Sequence, residues 1–308
     1  MRIPVYLILG FLDSGKSQFI NGVLADGLAA DHRTLLLQCE EGDVEYDPHL
    51  MKNVTVAAVE DEEELTPIFL RECEKKHRPR QVLVEYNGMW PLDTLLDHLP
   101  PSWFLAQTFT FVEAATFDVY SRNMGQLMAE KVKAADILVF NRCTPELKDS
   151  LRARNLRMAN RRAEIYLEAP DGTDEDYLTG NECPFDLDQP VIHIPDEDFG
   201  VWYVDVMDHP QRYEGKTIHA KLVMMRSSKY PDTCCPGRFA MVCCANDVAF
   251  LGLVARGMGL EAFKNKQWLD ATFRISIHEH PAYEGPGPFM DILEAHPCTK
   301  AEPELLTY

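Results

Sequence analysis

Gly10-Phe11-Leu12-Asp13-Ser14-Gly15-Lys16-Ser17 decides how the first half of the chain is read. It satisfies Gly-x-x-x-x-Gly-Lys-Ser/Thr at every fixed position. It lies between an apolar run, Val5 to Leu9, and a segment with helical spacing, Phe19, Ile20, Val23 and Leu24. Glycines let a backbone wrap an anion without Cβ clashes, its N–H groups point inward, and the following helix adds partial positive charge. Gly10, Asp13, Ser14, Gly15, Lys16, Ser17 and Gln18 are therefore candidate nucleotide-binding residues, with Lys16 reaching the β- and γ-phosphates and the Ser17 hydroxyl on Mg²⁺. A glycine-bearing surface loop is the competing reading, and the strand–loop–helix setting argues against it.

Outward from this loop, strand and helix patterns alternate. Thr34 to Leu37, Val54 to Val59, Gln81 to Glu85, Thr108 to Val112, Ile137 to Phe140 and Glu164 to Leu167 read as strands. Helices are expected after the Thr66-Pro67 start, over Pro91 to Leu99 and over Met124 to Ala134. The fold class expected is α/β, a P-loop NTPase parallel sheet with helices on both faces. Asp171 to Gln189 is rich in Asp, Gly and Pro and reads as a linker. Beyond it Val201 to Val206, Thr217 to Met225, Phe239 to Cys243, Ala249 to Val254 and Leu269 to Ile277 are short strand-like runs, which predict a smaller, mainly-β, OB-like barrel. The domains expected are 1–180 and 181–308.

The bulk properties exclude some partners. A formal net charge of −19 over 308 residues would repel a polyanion, so nucleic acid and anionic membrane are poor partners. The basic run Lys148 to Arg162 reads as a solvated helix face. No apolar run reaches ~18 residues, so no membrane span is expected. Ile3 to Leu12 follows Arg2 but lacks a small-residue cleavage site and runs into Asp13 and Lys16, so a strand is preferred to a signal peptide. A cytoplasmic location with reduced thiols follows as an expectation.

Further candidates lie at strand ends and among the nine cysteines. Glu85 ends the run Val82 to Val84, where an acid can hold Mg²⁺ waters or orient attacking water. Asn141 ends another strand and is followed by Arg142, where GTPases carry Asn-Lys-x-Asp, so both join the nucleotide set. Cys234-Cys235 and Cys243-Cys244 are paired. Cys243, Cys244 and Asp247 are candidate Zn²⁺ ligands, with His219, His278 and His280 on nearby strand candidates. Buried reduced thiols are the alternative. His193 reads as linker, and Trp90, Trp103, Trp202 and Trp268 as core or interface.

The first half, about Ile3 to Leu167, resembles the CobW-type metal-chaperone GTPases, relatives of UreG and HypB. Besides the P-loop, Cys39-Glu40-Glu41-Gly42-Asp43-Val44-Glu45-Tyr46-Asp47 is similar to the family's Asn-Glu-Phe-Gly-Glu-x-Gly-x-Asp switch segment, matching at Glu40, Gly42 and Asp47. Val84 to Pro91 resembles its Glu-x-x-Gly strand end, Phe111-Val112-Glu113-Ala114 its Val-Asp-Ala, and Ala135 to Arg142 its Ala-Asp strand leading into Asn-Lys-x-Asp. Two departures stand out. The family's Cys-x-Cys-Cys is missing from Val54 to Glu64, and Thr144 replaces the Asp that pairs with guanine, which weakens the case for GTP over ATP. The resemblance implies nucleotide hydrolysis by Lys16, Glu40 and Glu85, with Glu40 or Glu85 joining Ser17 at Mg²⁺, coupled to metal handling. Around it, residues 201–297 resemble the C-terminal domain of permease-associated bacterial proteins, through Tyr213 to Ile218, Arg238 to Asp247 and Leu251 to Val254. The partners implied are GTP or ATP, a metalloprotein client or a membrane permease, and a homo-oligomer. The competing function is a nucleotide-gated scaffold for a permease with slow or no hydrolysis, and a third is a degenerate site.

Overall fold

A computed structural model describes residues 2–307 except 155, 178–182, 184, 228, 231–232, 242–247, 258 and 284, and leaves out the side chain of Met158. The chain divides into two units, Met1–Arg154 with Arg162–Thr179, and Asn155–Arg161 with Gly180–Tyr308. The short helix Leu156–Ala159 therefore belongs with the second unit although it lies among first-unit residues in sequence.

The first unit is a mostly parallel eight-stranded sheet with helices. Its strands are β1 (Ile3–Leu9), β2 (Thr34–Gln38), β3 (Val54–Ala58), β4 (Gln81–Glu85), β5 (Trp103–Glu113), β6 (Ile137–Asn141), β7 (Glu164–Glu168) and β8 (Asp174–Asp176), in the order β3-β2-β4-β1-β5-β6-β7-β8. β4 is buried at every position and β2 at four of five, as central parallel strands covered on both faces require. Because β1 is central, the segments following β1, β2, β4 and β6 converge at one edge of the sheet. In open α/β sheets that carboxyl edge is where ligands bind.

The strand series expected from sequence is present, with two main differences. β5 starts at Trp103 rather than Thr108, because a bulge at Ala106 lets Trp103–Leu105 pair with Ile3–Val5 despite the polar Gln107. β8 lies inside the expected linker, where Asp174, Glu175 and Asp176 form an antiparallel edge strand on β7. Charged residues are typical of such an edge. The basic run is ion-paired rather than merely solvated: Lys148 and Arg152 meet Glu175 at 3.2 and 2.8 Å, Arg154 meets Asp118 at 2.5 Å, and Arg157 meets Asp208 at 2.8 Å.

The second unit is a curled, nearly barrel-like sheet. Its strands are β9 (Ile192–His193), β10 (Thr217–Val223), β11 (Gly237–Met241), β12 (Val248–Gly252), β13 (Val254–Arg256), β14 (Trp268–Glu279), β15 (Pro286–Pro297) and β16 (Leu305–Thr307). They run in the order β12-β11-β10-β14-β15-β13, with β9 on β10 and β16 on β11. Bridges from Cys234 to Arg226 and to Ala255 draw β13 back toward the β10–β11 connection.

One expected strand is a helix. Val201 to Val206 lies within the helix Phe199–Asp208, which buries Phe199, Trp202 and Val206 at helical spacing. The β-branched and aromatic content that suggested a strand instead fills the core, where the Trp202 ring lies 5.2, 6.5 and 5.8 Å from those of Phe199, Tyr213 and Phe273. β15 escapes sequence reading because Pro286 and Pro288 open it and Asp291 and Glu294 interrupt its apolar positions, yet it pairs with β14 along its whole length. His193, expected in a linker, is the end of β9.

Candidate functional site

The segment Gly10 to Gly15 leaves β1 and enters the helix Lys16–Ala25. Two glycines make its path achievable. A Cβ on Gly10, at φ +147°, would lie 2.2 Å from Ser14 Oγ and 2.5 Å from the Phe111 carbonyl. A Cβ on Gly88, in the loop after β4, would lie 2.6 Å from Phe11 Cα. The β4 loop can press against the phosphate-loop backbone only without a side chain there.

Lys16 is 4% exposed and folds back under this loop. Its Nζ donates to the carbonyls of Gly10 at 3.0 Å and Phe11 at 2.9 Å, and to the Glu40 carboxylate in a short ion pair. An ammonium has three protons, so all three are committed. Glu40 also accepts from the Gly88 amide at 3.4 Å. The Ser17 hydroxyl donates to Glu85 Oε1 at 2.5 Å, and the Tyr46 hydroxyl donates to Glu85 Oε2. Burial, then the neighbouring Glu85 charge, raises the Tyr46 phenol well above its usual range. Burial and the Glu85 and Glu40 charges push the Cys39 thiol up to about 12, so it is a neutral core thiol next to the site.

The segment 39–47 has no regular secondary structure and lies over the loop. Asn21 clamps it, donating to the Glu45 carbonyl at 3.0 Å and accepting from the Asp47 amide at 3.1 Å. Gly42 lies within 3.9 Å of Asp13 and 4.0 Å of Ser17, measured from where its Cβ would be. A cleft of about 280 Å³ separates the two, and Asp13, Gly15, Lys16, Ser17, Gln18 and Arg142 line it.

From the other side Asn141 donates to the Ser14 carbonyl at 2.6 Å, and Arg142 donates to the Asp13 carbonyl at 3.3 Å while pairing with Glu113 at 3.1 Å. Thr144 caps a helix instead of facing the cleft: its hydroxyl accepts from the Leu147 amide at 3.4 Å, with Pro145 in the first turn of Pro145–Arg152. Glu146, in that same turn, is held low by its own backbone amide and by Thr144.

Thus Gly10, Asp13, Ser14, Gly15, Lys16, Ser17, Gln18, Glu40, Glu85, Asn141 and Arg142 are brought together at one sheet edge. Cys243, Cys244 and Asp247 lie outside the described residues. Among the described residues no three His, Cys, Asp or Glu side chains are arranged to hold a metal ion. The residues present suit Mg²⁺: Ser17 and Glu85 supply paired hard oxygens beside the loop, and Ser14 Oγ and Asn141 Oδ1 are buried with no partner among the described residues.

Sequence reasoning missed Tyr46 and Asn21, which position Glu85 and the switch segment, and Lys131. No motif marks the first two. Lys131 is signalled only as a lysine on the buried face, with Met128, Ala129 and Val132, of the helix Gly125–Ala134.

These features define a P-loop nucleotide-binding protein. Family models make this specific: that of the CobW/HypB/UreG nucleotide-binding domain matches residues 4–166, and that of the DUF1980 C-terminal domain matches residues 173–304. The chain belongs to the CobW/HypB/UreG family. No curated protein matches it. Similar solved structures include the hydrogenase maturation factor HypB from Archaeoglobus fulgidus, at 16% identity over 55% of this chain and 82% of that one, TM-score 0.40. FlhF complexed with GMPPNP/Mg²⁺ is similar at 12% identity, over 58% and 73%, TM-score 0.38. The MinD cell division protein of Aquifex aeolicus follows at 14%, over 54% and 81%, TM-score 0.33. No helix is long and apolar enough to cross a membrane among the described residues.

Lys131 Nζ is buried without a hydrogen-bond partner among the described residues, 5.4 Å from the centroid of the Phe11 ring. Desolvation lowers its amine from 10.5 to about 8. Between those values the unfolded chain holds the proton and the folded chain releases it, so the penalty is complete below pH 8 and fades as pH rises to 10.5. Lys131→Met should therefore stabilise the protein at pH 7, by an amount on the order of 1–3 kcal/mol. The gain over wild type should shrink as pH rises from 7 to 10. Denaturant unfolding of both proteins across that range checks it; a gain that grows with pH would contradict it.

Proposed function

We propose that the protein is a nucleotide-driven switch that binds a nucleoside triphosphate, with GTP the leading candidate, hydrolyses it, and uses the cycle in metal-ion handling. The observation carrying this reading is the ion pair of Lys16 with Glu40 beneath the phosphate loop. A buried ammonium is strongly stabilised by an anion. In the free protein Glu40 supplies it; a triphosphate supplies it instead when bound, with the loop amides and helix N-terminus holding its oxygens. Glu40 is then released, and the segment 39–47 that carries it changes position.

Ser17 and Glu85 would hold Mg²⁺, which neutralises charge on the β- and γ-phosphate oxygens when bound. Tyr46 holds Glu85 in place by donating to Oε2, which leaves the carboxylate facing Ser17. Attack by water on the γ-phosphate breaks its bond to the β-phosphate oxygen and releases phosphate. Loss of the γ-phosphate charge lets Glu40 return to Lys16. Metal handling is the downstream act proposed from family membership.

Two expected outcomes follow. Glu40→Gln removes the internal competitor for Lys16, so triphosphate affinity should rise by about tenfold or more. Lys16→Ala should lose most affinity. Calorimetric titration with GTP measures both, and phosphate release measures turnover. Weaker binding by Glu40→Gln would place Glu40 in the bound state as a ligand and reject the exchange.

The second outcome concerns the base. Thr144, which stands in place of the base-reading Asp, is spent on its helix, Asn141 on Ser14 and Arg142 on Glu113. GTP-over-ATP selectivity should fall well short of the ~10⁴-fold that a dedicated polar site achieves. Competition between the two nucleotides tests it; a preference of that size would show that another acid, Glu146 first among them, reads the base.

A further inference from the structure

β9 is only two residues long, and it brings His193 into register beside His219 on β10. The two imidazoles meet through like atoms, with Nδ1 to Nδ1 at 3.2 Å and ring centroids 4.8 Å apart. On the far side of His219, Nε2 faces Asp270 Oδ1 of β14 at 2.7 Å. A carboxylate can only accept, so in the neutral ring the His219 proton sits on Nε2 and its Nδ1 carries a lone pair. The proton between the rings therefore belongs to His193. Neighbouring charges do not compete for these groups. Lys221, opposite Asp270 in register, is paired with Asp196 at 3.2 Å, and His296, on the other flank of Asp270, is bonded to Glu294 at 2.8 Å.

We propose that His193 and His219 form an open site for a divalent first-row transition-metal ion, bound through their two Nδ1 atoms, with Asp270 fixing the His219 ring. The spacing fits. Two nitrogens 3.2 Å apart, each 2.0–2.1 Å from one ion, subtend roughly 100°, near the tetrahedral value. The carboxylate behind His219 is the usual partner of a metal-bound imidazole, fixing its tautomer and raising its basicity. The ion takes the place of the shared proton, which moves through solvent from Nδ1 to Nε2 of His193, after a small rotation of that exposed ring. Imidazole donors suit zinc, nickel, cobalt or copper, and not Mg²⁺, so this site and the nucleotide site do not compete for one ion. No third protein ligand stands nearby among the described residues, so water or a donor from another molecule completes the shell. Such a site takes up and releases metal, unlike a closed structural site. The proposal gives the metal-handling part of the proposed function a location and rests on that reading only for its purpose.

The test is a cobalt(II) titration of the full chain, read by visible absorption and by competition with zinc. One ion should bind, without the intense near-ultraviolet band that thiolate ligation gives. Binding should be lost in His193→Ala and in His219→Ala and weakened about 10- to 100-fold in Asp270→Ala. Circular dichroism and GTP affinity, measured on the same variants, should match wild type, so that failure of this site and failure of the nucleotide reading are separable. A wild-type protein with no cobalt signal, a signal only from thiolate ligation, or equal affinity in the double His variant would each overturn the proposal.

Discussion

The buried ammonium of Lys16 is the constraint on which the rest of the first unit depends. It sits under a loop whose two carbonyls take two of its protons, and only an anion can satisfy the third at tolerable cost. Glu40 comes from the segment after β2, so charge neutralisation ties a segment without regular structure to the loop. The same segment carries Tyr46, which donates to Glu85 at the end of β4, and Glu85 takes the Ser17 hydroxyl. One chain of contacts therefore runs from the phosphate loop through the switch segment to the strand end and back to the first turn of the helix.

The sheet order makes this possible. β1 lies between β4 and β5, with β2 beyond β4 and β6 beyond β5, so their carboxyl ends deliver Glu40, Glu85 and Asn141 to one place. Gly10 and Gly88 then allow backbones to approach more closely than side chains would permit. The second unit has its own core, built on Trp202, Tyr213 and Phe273, and its own polar chemistry at His193, His219 and Asp270.

Much of the first unit was legible because its signals are local. Apolar runs mark buried parallel strands, and the glycine–lysine–serine pattern fixes where phosphate chemistry belongs. The Lys16–Glu40 and Ser17–Glu85 pairs were not legible as contacts, since they join residues 24 and 68 positions apart. The role of Thr144 was open until its hydroxyl was seen to cap a helix, although Thr-Pro carries that signal. In the second unit local signals conflict with packing. Phe199–Asp208 has strand-like composition yet is a helix, because a helix buries Trp202 and Val206 together. His193 and His219 gave no sequence signal as a pair; only parallel pairing of a two-residue strand places them side by side.

The central claim is that nucleotide and Glu40 exchange at Lys16. Hydrogen–deuterium exchange, with and without a non-hydrolysable GTP analogue and Mg²⁺, tests it most directly. The account predicts a nucleotide-dependent change in amide protection across 39–47 and at Gly88, whose amide is bonded to Glu40 in the free protein. The change should be absent from Lys16→Ala. Saturating nucleotide that protects the phosphate loop but leaves 39–47 and Gly88 as they were would contradict it.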